Sequence, residues 1–172
     1  ISFKICKGNI LNEIEEVKKS DGTPFKVFTP FWRNAEKYYI EKIPPKEKII
    51  KKCLKKKLFF KDSISYNEIL PKKSWFKNFE TLWSPSEENA LKELKNFIKN
   101  RIIDYSDGRN FPNIVGTSKL SPFIKHGQIH VETIWNECMK VEKKSIGITK
   151  FLAEIGWREF NHTLINYFPH KI

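Results

Sequence analysis

The stretch 146–167 reads as one long helix, and its residues constrain the chain more than any other feature. At helical spacing Ile148, Phe151, Leu152 and Ile155 form an apolar stripe that must be packed against other elements. Glu154, Trp157, Arg158 and Asn161 fall on a neighbouring face, at i, i+3, i+4 and i+7. A carboxylate, an indole and a guanidinium set together can stack a flat base, exchange hydrogen bonds with it and neutralise nearby phosphate. The plainer reading is an i,i+4 ion pair between Glu154 and Arg158, with Trp157 half buried at a helix boundary.

Upstream, Gly116-Thr-Ser-Lys-Leu-Ser-Pro122 is a hydroxyl-rich turn opening a short helix over 122–126. Ser121 is expected at the N-cap, with Pro122 in the first turn and Gly127 as the stop. The hydroxyls of Thr117, Ser118 and Ser121, the Lys119 ammonium and the backbone N–H groups make a suitable cradle for phosphate. A capped helix with a solvated lysine accounts for the same string.

Three stretches, Asp21-Gly-Thr-Pro-Phe-Lys-Val-Phe-Thr-Pro-Phe-Trp-Arg33, Tyr105-Ser-Asp-Gly-Arg-Asn-Phe-Pro112 running into the 116–122 turn, and Phe151 to Pro169, together resemble the photolyase/cryptochrome family. The resemblance is strongest to bacterial class I cyclobutane pyrimidine dimer photolyases. It implies a mainly α fold: the first part of a helical FAD-binding domain over 86–172, preceded by the last strand of an α/β antenna domain within 1–20 and a long connector over 21–85. It implies FAD as cofactor, UV-damaged DNA as partner, and light-driven repair of cyclobutane pyrimidine dimers by electron transfer from reduced FAD. A folate or deazaflavin antenna chromophore is possible in the parent protein.

The roles carried over are specific. Tyr105, Thr117, Ser118, Lys119, Leu120, Ser121, Phe151 and Arg158 match flavin-binding positions, with lysine at 119 where arginine is usual and phenylalanine at 151 where many members have tryptophan. Arg109, Glu154, Trp157, Arg158 and Asn161 match DNA-contacting positions. Glu154 would hydrogen-bond the pyrimidine and Trp157 would pack on the flipped dimer. A lysine keeps a point charge but loses the guanidinium fork. Because the family's later helices have no counterpart here, the chain is expected to be an internal segment of a longer gene product and to bind FAD weakly by itself. A cryptochrome photoreceptor or a (6-4) photolyase would share most of these features. A non-enzymatic basic DNA-binding module would explain the charge, though not the hydroxyl turn.

The formal net charge is +12. Residues 36–80 hold thirteen lysines against six acidic residues, a local excess of +7, which suits either a polyanion or a solvated surface. Cys6, Cys53 and Cys138 are far apart and lack metal-ligand spacing, so neither a disulfide framework nor a metal is expected, and a cytoplasmic location is the default. His126, His130, His162 and His170 form no ligand motif, and the first two read as polar groups at a helix end. No apolar run is long enough to span a membrane, and a monomer is expected. Along the chain, Phe3 to Leu11 reads as a strand and Asp21-Gly22 with Pro24 as a turn. A short helix follows around 31–42, then a stretch anchored by aromatics such as Trp75, then helices at 86–102 (capped by Ser86), 130–141 and 146–167.

Overall fold

The computed structural model describes residues 8–40, 64–69, 75, 77–143 and 145–171. Residues 1–43 with 85–172 form one compact unit and residues 44–84 a second. No strand occurs among the described residues, so the fold is mainly α. The expected strand lies partly outside them; its described end, residues 8–11, is irregular backbone.

In the larger unit the helices are α1 (Phe28–Ile40), α4 (Glu87–Asn100), α5 (Tyr105–Gly108), α6 (Ser121–Lys125), α7 (Val131–Met139) and α8 (Ile146–Tyr167), and a 3₁₀ turn follows at Pro169–Lys171. The smaller unit has α2 (Tyr66–Ile69) and α3 (Phe79–Leu82). There Trp75 packs edge-on against Phe79 at 5.9 Å. The lysine run at 46–57 lies outside the described residues.

Local chemistry sets most helix ends. Ser86 Oγ accepts from Asn89 N–H at 3.1 Å and Ser145 Oγ from Ile148 N–H at 3.2 Å, each satisfying a first-turn donor. At α7 the cap is His130, whose Nδ1 accepts from Glu132 N–H at 3.2 Å. Its Nε2 then carries the proton and donates to Gly8 C=O at 2.9 Å. Helix α6 ends as expected. Gly127 has φ +67 and donates to Ile124 C=O, and Gln128 N–H donates to Phe123 C=O at 2.8 Å, the paired bonds of a Schellman stop. Its start differs from expectation. Ser121 is already helical, and the cap position falls on Leu120 in αR backbone with no side-chain cap bond.

Helix α8 is the spine. It packs on α1, α5 and α7 and buries Ile148, Phe151, Leu152, Ile155 and Phe160, which is the predicted stripe extended by one turn. Phe151 meets Phe97 of α4 at 4.6 Å and Tyr105 of α5 at 5.2 Å. Phe160 meets Phe31 of α1 at 5.2 Å.

Irregular segment 8–12 is held to this spine by polar bonds. Asn9 Nδ2 donates to Ile124 C=O at 2.6 Å and its Oδ1 accepts from Val131 N–H at 3.2 Å, which bridges α6 and α7. Leu11 N–H donates to Glu159 Oε2 at 2.7 Å, and Arg158 Nη1 donates to Glu159 Oε1 at 3.1 Å. The Glu159 carboxylate is 5 % exposed, so both bonds operate where water competes poorly.

Glu159→Ala removes a charged acceptor from a buried N–H and a partner from a guanidinium. The expected cost is about 1.5–3 kcal/mol of stability. Glu159→Gln retains an acceptor for Leu11 and should cost less. Urea denaturation of the two variants checks both, and equal losses would contradict the bond to Leu11.

Candidate functional site

A cleft of about 630 Å³ opens where α5, α6 and α8 meet segment 8–12, a volume in the range of small-molecule sites. Ser118, Ser121, Ile124, Lys125 and Gly127 line it from the α6 turn, Phe151, Glu154, Ile155, Arg158 and His162 from α8, and Tyr105 and Asn9 complete it. Sequence reasoning placed Tyr105, Ser118, Ser121, Phe151, Glu154 and Arg158 here, and the structure brings these six together. Sequence reasoning missed Asn9, Ile124, Lys125, Gly127, Ile155 and His162 as lining residues. His162 had a signal, since it stands one helical turn beyond Arg158. Asn9 had none, because its place depends on long-range bonds to α6 and α7.

The remaining expected residues lie elsewhere. Thr117 and Lys119 are exposed beside Ser118, and Leu120 is fully buried with its N–H donating to Ser118 Oγ at 3.3 Å. Lys119 has φ +55, the one non-glycine residue with positive φ among those described. Left-handed backbone at a lysine is uncommon, and strain of this kind gathers at functional sites. Asn161 is exposed on α8.

The expected polar face of α8 is divided by its partners. Glu154 does not pair with Arg158; it takes Arg109 of the α5 end, while Arg158 turns to Glu159. The i,i+4 pair is overridden because each charge finds a partner fixed by packing. Arg109 also lies over the Tyr105 ring, 5.7 Å from its centroid, a cation–π contact. The bond to Glu154 pushes the Arg109 guanidinium pKa further up, so it stays charged. Burial raises the Tyr105 phenol above its usual range against the opposing hydrogen bond from Arg109, which keeps it a neutral donor. Trp157 does not line the cleft. It stacks on Phe28 at 3.8 Å and remains 44 % exposed.

Desolvation, then the charges of Arg158 and Lys125, hold His162 below the ordinary histidine range. The unfolded chain therefore binds this proton first as pH falls, and native stability declines as pH drops from the ordinary histidine value toward the lowered one. Much of the ring is open to solvent, so the effect is small. NMR titration should place the His162 midpoint below that of an unfolded peptide, and His162→Gln should remove this part of the pH dependence. A midpoint at or above the peptide value would contradict the positive environment.

The DNA photolyase family profile matches residues 1–48. A deoxyribodipyrimidine photo-lyase of Agrobacterium fabrum is 33% identical over 175 residues, covering 98% of this chain and 36% of that protein. Cryptochrome-1 of Arabidopsis thaliana is 27% identical, covering 99% of the chain and 26% of the relative. The crystal structure of a bacterial class III photolyase from Agrobacterium tumefaciens superposes with a TM-score of 0.74 at 32% identity, over 94% of this chain and 34% of that one. The chain thus spans about a third of the length of the photo-lyase and the solved structure it matches. These likenesses carry the expected family but not the expected class I, since the solved structure is of class III.

Proposed function

This chain belongs to the photolyase/cryptochrome family, and we propose that it supplies one wall of the FAD pocket and part of the lesion-binding face of a class III type deoxyribodipyrimidine photo-lyase. The observation that carries the reading is the convergence of Ser118 and Ser121 with Glu154 and Arg158 on one cleft, one helical turn from an exposed indole.

The donor set suits the cofactor. Ser118, Ser121, Lys125 and Arg158 offer hydroxyls and positive charge to a diphosphate, with Thr117 and Lys119 beside them. Phe151, Ile155 and Tyr105 offer flat and aliphatic surface to a ring system. When bound in its reduced form, FAD supplies the photo-excited electron that splits the cyclobutane ring of the dimer and is returned afterwards. The protein's own share is position and electrostatics. Arg109, exposed and permanently charged, serves DNA phosphate. Trp157 offers an open ring face to a base pair turned out of the duplex, which costs least for a lesion already poorly paired. Glu154 presents a carboxylate to the pyrimidine edge once Arg109 is drawn toward phosphate. A cryptochrome-type photoreceptor is the second reading, favoured by the likeness to cryptochrome-1 over nearly the whole chain. Light-dependent repair of dimer-containing DNA separates the two.

Replacing both Thr117 and Ser118 by alanine in the full-length protein should weaken FAD binding, at about 0.5–1.5 kcal/mol per hydroxyl and up to about 3 for a charged acceptor. Unchanged flavin affinity by fluorescence titration would return the turn to a purely structural role. Trp157→Ala should lower affinity for dimer-containing DNA by about tenfold to a hundredfold, from about 1–3 kcal/mol of lost stacking. Affinity for undamaged DNA should change little, because phosphate contacts dominate there. A large fall in melting temperature with intact lesion preference would instead assign Trp157 to the core.

A further inference from the structure

The indole of Trp157 belongs to a column of rings drawn from two helices. Phe28, the first residue of α1, lies parallel to it at 3.8 Å between centroids and 9° between planes. Trp32, one turn further along α1, lies parallel to Phe28 at 6.2 Å and 10°. Phe160 closes the flank edge-on, 6.0 Å from both Phe28 and Trp157. Beyond Trp32 the column is stopped by Trp135 of α7, edge-on at 5.7 Å. Gly156 makes room for it, since a Cβ at that position would stand 2.4 Å from the Trp32 ring. The column is therefore fixed at its inner end, and its outer end is Trp157, 44 % exposed.

We infer that Phe28 is a positioning residue for lesion recognition: it covers the inner face of Trp157 and sets the plane in which the outer face meets a flipped pyrimidine pair. The inference rests on the proposed stacking role of Trp157. An indole on a bare helix surface samples several rotamers, and a ligand that stacks on it must suppress all but one. Phe28 suppresses them beforehand, and Trp32 and Phe160 hold Phe28 in turn. Because one face is covered, the site is a single-sided platform.

The test measures binding of the full-length protein to a duplex with one cyclobutane thymine dimer and to the same duplex undamaged. Phe28→Leu and Phe28→Met remove the ring plane at nearly constant volume, and the methionine variant guards against misfolding of the other. Each should weaken dimer binding by about twofold to tenfold, the worth of one aromatic pair, with undamaged DNA unaffected. Phe28→Tyr keeps the plane and should preserve dimer binding. In a Trp157→Ala background Phe28→Leu should have no further effect, which a general loss of structure would not reproduce. Wild-type dimer affinity in Phe28→Leu and Phe28→Met, or an equal loss in both backgrounds, would overturn the inference while leaving the role of Trp157 intact. An unchanged lesion preference in Trp157→Ala itself would remove both readings.

Discussion

The burial of one side of α8 is the constraint on which the site depends. Phe151, Leu152, Ile155, Glu159 and Phe160 are each nearly inaccessible, and together they fix the rotation of the helix about its axis. With the rotation fixed, Glu154 and Arg158 must face the cleft and Trp157 must face the ring of Phe28. A helix free to rotate by one residue would move each of these side chains by about 100° around the axis and disperse them. The polar bonds of Glu159 serve the same end, because they tie α8 to segment 8–12 about two turns along the helix from the aromatic contacts that Phe151 makes with α4 and α5. The geometry of a site on a helix is only as definite as the packing of the residues between those that line it.

Charge in the cleft follows from pairing. Glu154 is answered by Arg109 and Arg158 by Glu159, which leaves the Lys125 ammonium to add positive potential near the hydroxyls of Ser118 and Ser121. Desolvation, and then the same charges of Arg158 and Lys125, lower the proton affinity of His162 on the cleft wall. Such a field favours an anion, and the buried Glu159 on this helix is itself paired. It also means that Glu154 and Arg109 neutralise each other, so on the proposed reading the two roles given to them are linked through a single guanidinium.

Where the determinants were local, the sequence was sufficient. Ser86 caps its helix through a bond to the residue three positions on, and Gly127 stops α6 in left-handed backbone, both as expected from residue type and spacing. The long helix appears with the limits its pattern implied. Long-range pairing was not legible. The Glu154–Arg158 ion pair gave way to Arg109 and Glu159, since an i,i+4 contact worth a few tenths of a kcal/mol yields to partners held in place by packing. Glu159 carries no sequence signal of its own and is nearly buried, because segment 8–12 brings it a backbone donor. The α6 cap was misplaced by one residue, since Ser121 supplies no cap bond and the turn is set by Lys119 and Leu120 instead.

Lys119 then acquires a meaning that its composition alone does not give. Left-handed backbone suits glycine or asparagine, and a lysine there carries a cost of order 1 kcal/mol that local structure alone does not require. The conformation turns the chain between Ser118 and α6, so that Leu120 drops into the core while Ser118 and Ser121 stay at the cleft. An asparagine would turn the chain more cheaply but would bring no charge. The residue that makes the turn is thus also an exposed cation, and strained backbone joined to a charge is a combination that a simple helix start does not require.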